Sequence, residues 1–258
     1  MMIIPSSRCI KCFFEPGISS SSYFPMDEVE VYYGISNDLH SQYTDLEKYI
    51  NREESLRANK FRFSEDRYTY ICCHGLLRSI LSEKLQKNPL EIIFNYDRNN
   101  KPGLIGNPYY FNITNDRGAF AFVISKYFYA GIDMEKVNRT IDYLPIINNY
   151  FSDKERKIIL ESNDRAYEKF ILLWTRKEAL LKALGTGIIN NLTQVEVSEN
   201  ENIIYKESFD NQIIEPVYNE HFIYSEKVLK YYLSIAIPQK AVIKLHQINE
   251  ENIISYLT

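Results

Sequence analysis

The sequence lacks several features that mark particular classes of protein. No apolar run approaches the roughly 20 residues that a membrane-spanning helix needs, and the first residues lack the charged-then-apolar order of a secretory signal. Only four cysteines occur in 258 residues, too few for a disulfide scaffold. The 30 basic residues do not outnumber the 34 acidic ones, so a net charge of −4 gives no electrostatic case for nucleic acid. We therefore expect a cytoplasmic protein that binds neither membranes nor nucleic acid.

What is present fits an ordinary globular protein, with 45% hydrophobic and 25% charged residues. Apolar residues at a period of 3.6 predict helices, and apolar–polar alternation predicts strands. The predicted helices cover residues 45–60, 64–87 and 164–184. The predicted strands cover residues 28–33, 91–94, 119–124, 131–135, 194–197, 203–206, 221–224, 229–237 and 241–246. This mixture predicts an α+β fold.

A chain of 258 residues suits one large domain or two smaller ones. We expect an irregular N-terminal segment over residues 1–27, which includes a serine run. An N-terminal lobe would cover residues 28–126 and a C-terminal lobe residues 127–258. The strands after residue 194 are expected to complete the sheet of the C-terminal lobe.

Two carboxylates stand two residues apart in the predicted strand at residues 131–135. Side chains two apart in a strand point to the same face, so Asp133 and Glu135 lie side by side, while Met134 points into an apolar layer. Adjacent carboxylates repel each other, and a nearby positive charge is needed to keep both ionised. A hard divalent cation such as magnesium does this well. The alternative is a solvated face of an edge strand.

A third carboxylate, Glu178, shares a helix face with Lys182 because the two are four residues apart. A metal held by Asp133, Glu135 and Glu178, with Lys182 beside it, would suit a phosphate ester. The alternative is a surface ion pair worth a few tenths of a kcal/mol. The apolar strand that leads into Asp133 and the single tryptophan, Trp174, one turn before Glu178 favour the site.

Three motifs together resemble those of the 4′-phosphopantetheinyl transferases of the two-lobed, surfactin-synthetase-activating type. They are Gly-Ile-Asp-Met-Glu at residues 131–135, Phe-Ser-Asp-Lys-Glu at residues 151–155 and Trp-Thr-Arg-Lys-Glu-Ala-Leu-Leu-Lys-Ala-Leu-Gly at residues 174–185. Their order and spacing also fit, and the similarity runs from about Arg57 to Gly187. Joint occurrence makes the signal more specific than any one motif.

The resemblance implies two similar lobes, each with a small, mainly antiparallel sheet packed on a long helix. The lobes would be related by a pseudo-two-fold axis, with the active site in the cleft between them. It also implies a monomer that transfers the 4′-phosphopantetheine arm from coenzyme A to a serine of an acyl or peptidyl carrier protein. The other product would be adenosine 3′,5′-bisphosphate. The pathway could be fatty acid, polyketide or nonribosomal peptide synthesis.

The resemblance also assigns roles to residues. Asp133, Glu135 and Glu178 would bind Mg²⁺, or Mn²⁺ in its place. Glu178 and Lys182 would be catalytic, with Glu178 taking the serine proton directly or through a water. Asp133 and Lys182 would also face the pyrophosphate of coenzyme A.

Four further residues would contact coenzyme A. Arg57 is the best match to a basic residue near the 3′-phosphate, and Lys101 precedes Pro102 as in the Gly-Lys-Pro of the family. Thr114 and Asn115 lie in Phe-Asn-Ile-Thr-Asn-Asp, where the family usually has Phe-Asn-Ile-Ser-His-Ser. Asparagine can still donate a hydrogen bond but carries no charge.

Basic side chains in two of the motifs could meet an acidic carrier protein, or could simply be solvated helix faces. They are Lys154, Arg156, Lys157, Arg176 and Lys177. Two other functions stay open at this point. One is a non-catalytic relative that binds coenzyme A and carrier proteins. The other is a magnesium-dependent nuclease or nucleotidyl transferase, which also clusters carboxylates but for which a basic stripe is missing.

Overall fold

A computed structural model describes residues 8–10, 27–99, 101–106, 109–137, 141–185, 192–197, 202–206, 215–218 and 221–257. Its α-helices are α1 (Tyr43–Tyr49), α2 (Arg52–Ala58), α3 (Ser64–Leu85), α4 (Leu144–Tyr150), α5 (Asp153–Leu160) and α6 (Ala166–Leu184). Its strands are β1 (Arg8–Ile10), β2 (Glu28–Ile35), β3 (Phe94–Tyr96), β4 (Pro102–Leu104), β5 (Tyr110–Asp116), β6 (Ala119–Ser125), β7 (Gly131–Lys136), β8 (Val195–Val197), β9 (Asn202–Lys206), β10 (Glu215–Tyr218), β11 (Phe222–Val228), β12 (Tyr231–Ile237) and β13 (Val242–Ile248). These elements confirm the α+β class.

The chain forms two compact units. The first unit consists of two segments, one up to Phe128 and one from Lys240 onward, and the second unit covers Tyr129–Gln239. No helix among the described residues is both long and apolar enough to cross a membrane.

The first unit is built on a five-stranded sheet in the order β1-β13-β2-β6-β5. Every residue of β6 is buried, as its unbroken apolar sequence predicts for an interior strand. Helix α3 packs on one face of this sheet, where Phe120 and Phe122 meet Leu76 and Leu77 in one core. Residues 69–82 of α3 are all buried, so the helix is enclosed on every side.

The last strand of the chain, β13, corrects one expectation. It was predicted to complete the sheet of the C-terminal lobe, but it pairs in parallel with β2, with Ile243 opposite Val29. Strand β1 pairs antiparallel with the other edge of β13, although residues 1–27 were expected to be irregular. The rest of that expected irregular segment, apart from Asp27, lies outside the described residues.

Two further predictions for the first unit need correction. The single helix expected over residues 45–60 is divided into α1 and α2, because Ile50 is extended and Asn51 starts a new helix. The side chain of Asn51 accepts a hydrogen bond from the Glu54 N–H, and the Glu54 carboxylate accepts one from the Asn51 N–H. The strand expected over residues 91–94 starts only at Phe94, after a 3₁₀ turn at Pro89–Glu91.

The second unit has an antiparallel sheet in the order β11-β12-β7. Strands β8 and β9 were also expected to complete this sheet, but with β10 they form a separate sheet in the order β10-β9-β8. Helix α6 packs against β7 and β12, and helices α4 and α5 add a cluster around Phe151 and Phe170. A capping box starts α5: the Ser152 hydroxyl accepts from the Glu155 N–H, and the Glu155 carboxylate accepts from the Ser152 N–H. Gly185 ends α6 with φ 66°, a left-handed conformation that glycine adopts without strain.

Candidate active site

Gly131 brings helix α6 into direct contact with strand β7. A Cβ atom at Gly131 would lie 2.1 Å from the carbonyl oxygen of Ala179 and 2.3 Å from the amide nitrogen of Ala183. Backbone atoms in a packed helix cannot turn aside as a side chain can, so this approach requires glycine. Asp133 is two residues further along β7 and therefore points to the same, helix-covered face.

Asp133 and Lys182 form an ion pair across this contact. Lys182 Nζ lies 2.7 Å from Asp133 Oδ1, and the two side chains are 29% and 7% exposed, so solvent screens the pair less than a surface pair. Glu178 stands one turn before Lys182. Burial, followed by the charge of Asp133, raises the pKa of Glu178, and the charge of Lys182 lowers it. The three side chains are therefore one electrostatically coupled group.

This donor set suits a divalent cation. The raised pKa of Glu178 reflects partly its repulsion by Asp133, and a dication between the two carboxylates would reverse that effect. Glu135 follows Asp133 on the same face of β7 and is half-buried. Within the part of the chain that the structure describes, no three His, Cys, Asp or Glu side chains are grouped so that they could hold a metal ion as they stand. The three-carboxylate site thus stays a prediction.

Two of the residues predicted to bind coenzyme A lie on α2 and beside β4 in the first unit. Arg57 is exposed, with its guanidinium carbon 5.8 Å from the centre of the Tyr70 ring. Lys101 is half-buried, and this burial lowers the pKa of its ammonium group, although Asp97 opposes the shift. The Lys101 N–H donates to Asp97 Oδ1 at 2.9 Å, which fixes the loop backbone.

Thr114 and Asn115 lie on strand β5, also in the first unit. Thr114 is buried and shares its face with the buried side chains of Asn112 and Asp116, whereas Asn115 is exposed on the opposite face. Strand β5 is an outer strand of its described sheet. A ligand that contacts both Thr114 and Asn115 must therefore reach around that edge.

Two residues of the predicted basic surface are buried instead. Lys177 is fully buried and forms an ion pair with Glu155 at 2.8 Å. It also donates to the carbonyl oxygens of Leu192, at 2.9 Å, and Val195. Burial lowers the pKa of Lys177 and the Glu155 charge opposes this. Arg176 is also buried.

The burial of Lys177 was missed because lysine usually marks a solvated face. The available signal was its position between Leu173 and Leu180, at the helical spacing of an apolar face. Since Glu155 Oε1 also accepts from the Val197 N–H at 2.9 Å, the pair joins α5, α6 and β8. Its role is thus to support the helix that carries Glu178.

The sequence of this chain is similar to those of known proteins. A family model for the 4′-phosphopantetheinyl transferase superfamily matches residues 129–235, and one for the N-terminal part of 4′-phosphopantetheinyl transferases matches residues 37–128. The 4′-phosphopantetheinyl transferase HetI of Nostoc sp. is 30% identical over 178 residues, which are 67% of this chain and 74% of HetI.

Two proteins from Bacillus subtilis are also similar to this chain. The 4′-phosphopantetheinyl transferase ffp is 29% identical over 66% of this chain and 76% of its own length. The 4′-phosphopantetheinyl transferase Sfp of strain 168 is 27% identical over 60% of this chain and 70% of its own length. The chain is thus an enzyme of the transferase class. It belongs to the 4′-phosphopantetheinyl transferase superfamily, as its motifs indicated.

Proposed function

We propose that this protein transfers the 4′-phosphopantetheine arm of coenzyme A to a serine hydroxyl of an acyl or peptidyl carrier protein, with Mg²⁺ or Mn²⁺ as cofactor. The observation that carries the proposal is the coupled group of Asp133, Glu178 and Lys182. Carboxylates held close together beside an ammonium group suit a metal and a pyrophosphate, and the names of the relatives supply the reaction class.

In the proposed reaction the serine oxygen attacks the phosphorus atom nearer the pantetheine. The bond from that phosphorus to the bridging oxygen breaks, and adenosine 3′,5′-bisphosphate leaves with the electron pair. Glu178 takes the serine proton, directly or through a water. Lys182 places a positive charge where negative charge develops on the leaving group.

Asp133, Glu178 and, from the same face of β7, Glu135 would hold the metal. When bound, the metal would neutralise charge on the pyrophosphate. Arg57, Lys101, Thr114 and Asn115 are proposed as coenzyme contacts, of which the two cations suit its phosphates. We further propose the two-lobed, pseudo-symmetric arrangement with the site in its cleft, and a monomer that acts in the cytoplasm. The family resemblance supports these points.

The test is the intact mass of apo carrier proteins after incubation with the enzyme, coenzyme A and MgCl₂. We expect a mass gain of one phosphopantetheine arm, no gain with chelator, and no gain with Asp133→Ala. Leu229→Ala, an exposed residue of the same unit, serves as the matched control and should transfer normally. Coenzyme A binding without transfer to any acyl or peptidyl carrier would contradict the proposal in favour of a non-catalytic binder.

A further inference from the structure

A row of hydroxyl groups crosses the sheet of the second unit next to Asp133. In the register of this sheet Ser225 of β11 lies opposite Ser234 of β12, and Ser234 lies opposite Asp133 of β7. Directly paired residues of antiparallel strands point to the same face. The row Ser225–Ser234–Asp133 therefore lies under helix α6, which covers this face.

Helix α6 forms a hydrogen bond or an ion pair with each member of the row. Thr175 Oγ1 lies 3.0 Å from Ser234 Oγ, and Arg176 Nη1 donates to Ser225 Oγ at 3.2 Å. Ser225 Oγ and Ser234 Oγ are 2.9 Å apart. At the other end, Lys182 binds Asp133. Both Thr175 and Ser234 are fully buried, so water does not compete for their hydrogen bonds.

The proton direction along this row is fixed at its Thr175 end. A guanidinium can only donate, so Arg176 donates to Ser225. A carbonyl can only accept, so the Thr175 hydroxyl donates back to Leu172 O at 2.9 Å or Ile171 O at 3.1 Å. Each serine has one proton to give. Ser225 must therefore donate to Ser234, and Ser234 to Thr175, which leaves every hydroxyl satisfied.

Thr175 shares a helix face with the reactive side chains. Glu178 follows it by three residues and Lys182 by seven, so all three lie on one stripe of α6. The bond from Thr175 to Ser234 therefore sets the rotation of α6 at the point where Glu178 meets Asp133. Rotation of the helix by even one residue step would turn Glu178 about 100° away from the strand.

We propose that Thr175 and Ser234 are positioning residues: their buried hydroxyl-to-hydroxyl hydrogen bond fixes the rotation of α6 over β7 and so holds Glu178 beside Asp133 for metal binding. The inference rests on the proposed function for its chemistry, but its geometry lies wholly within the second unit. The two residues touch neither coenzyme nor metal in this role. They act through Glu178 and Asp133.

The test uses Thr175→Val, which keeps the shape of the side chain, Thr175→Ser, which keeps the hydroxyl, and Ser234→Ala. Binding of Mn²⁺ in the presence of saturating coenzyme A is measured by the loss of the free Mn²⁺ electron paramagnetic resonance signal. The Mg²⁺ concentration for half-maximal arm transfer and the melting temperature are measured in parallel. We expect Thr175→Val and Ser234→Ala to weaken Mn²⁺ binding and raise the Mg²⁺ requirement about tenfold, and Thr175→Ser to restore both.

Thr69→Val in the first unit is the matched control. Thr69 is a buried helix threonine that donates to Glu65 O at 2.8 Å and contacts Ser36 Oγ at 2.9 Å. It should lose stability as Thr175→Val does while its Mn²⁺ affinity stays that of wild type. Thr175→Val and Ser234→Ala variants that melt earlier but keep wild-type Mn²⁺ affinity would overturn the positioning role. If Thr175→Val does not fold, Ser234→Ala alone decides.

The outcomes separate this inference from the proposed function. Wild-type protein that binds Mn²⁺ with coenzyme A but transfers nothing would contradict the function alone. Wild-type transfer with unchanged Mn²⁺ affinity in the hydroxyl variants would contradict the positioning role alone. A wild-type protein without Mn²⁺ binding would overturn the positioning role together with the metal part of the function.

Discussion

Lys182 carries a positive charge that acts on two carboxylates, Asp133 and Glu178. Lys182→Met removes the ammonium that acts on both Asp133 and Glu178, and with it the charge that we propose stabilises the leaving group. We expect the transfer rate to fall about 100-fold, the scale for losing one group that stabilises developing charge. Initial rates with a carrier protein measure this. Lys182→Arg, which keeps the charge, should retain more activity than Lys182→Met. Equal losses in the two variants would show that charge is not what Lys182 contributes.

Two histidines, the buried His221 and the half-buried His246, tie stability to pH. Burial lowers the pKa of both His221 and His246, and the His246 ring stacks on Tyr32 at 4.7 Å. The unfolded chain takes up protons at these sites near pH 6.5, before the folded protein does. Their contribution to stability is thus full above about pH 6.5 and is lost as pH falls from there through the folded pKa.

His246→Phe should therefore flatten the loss of unfolding free energy between pH 7 and pH 5, while it keeps the ring stacked on Tyr32. Urea denaturation at several pH values measures the slope. His221→Phe should remove a second part of the slope independently, because the two residues lie in different units. A slope identical to wild type in the double variant would contradict the assignment.

The site shows what a sequence can and cannot predict at this scale. The motifs predicted that Asp133, Glu178 and Lys182 come together, because strand and helix periodicity places each on a definite face. The same periodicity held a signal for the burial of Lys177, but it did not identify the partners of Lys177 and Arg176, since these partners come from distant strands and loops. The buried partners of a charged residue are a tertiary property, and local pattern does not encode them.

At the scale of elements, the contact of α6 with β7 depends on Gly131. Gly131→Ala would force a methyl group against the Ala179 carbonyl, so the helix must shift away from the strand. We expect a loss of about 1–3 kcal/mol in unfolding free energy, typical of overpacking, and a larger relative loss of metal-dependent transfer. Gly103→Ala is the control, because its Cβ would meet only the side chain of Asn95 at 3.3 Å. An active, stable Gly131→Ala variant would contradict the close contact.

The buried ion pair of Lys177 and Glu155 joins three elements. Lys177→Met leaves the Glu155 carboxylate buried without its cation, which costs about 3–5 kcal/mol. We expect the double variant Lys177→Met/Glu155→Gln to be more stable than Lys177→Met alone, because a neutral amide tolerates burial better and keeps the shape of the cap. Chemical denaturation of the wild type, the single variants Lys177→Met and Glu155→Gln, and the double variant gives the coupling free energy between the two side chains. Additive losses would show that the two side chains do not act as a pair.

Helix boundaries illustrate the same limit for elements. The long helices α3 and α6 and the strands β2, β6 and β7 were predicted close to their observed bounds, because each has a strong apolar pattern. The break between α1 and α2 was missed, although Asn51 and Glu54 form a capping box. Charged residues continue the helical pattern on both sides of the break, and the extended backbone of Ile50 and Asn51 interrupts it.

At the scale of the whole molecule, the chain returns to its first unit at the end. Sequence neighbours usually pack together, which is why β13 was assigned to the C-terminal lobe. Its alternation predicts a half-buried strand but does not name the sheet. Only the parallel register with β2, and the burial of Ile243 and Leu245, show where it belongs. The last strand is therefore a long-range part of the first unit's core.

A chain that stops at Gln239 would remove β13 from between β1 and β2 and expose the backbone edge of β2. It would also remove Ile253, which is fully buried in the core of the first unit. We expect the first unit to lose its cooperative unfolding, although the truncation falls outside the motifs of the site. Proteolysis and circular dichroism during urea titration measure this. The point variant Leu245→Asp, which buries a charge on β13, should behave in the same way, whereas Lys244→Gln, a half-exposed neighbour on the same strand, should not. A truncated chain that keeps a protease-resistant first unit would contradict this prediction. It would show that the core of the first unit does not depend on β13, because removal of a strand on which a core depends unfolds that core.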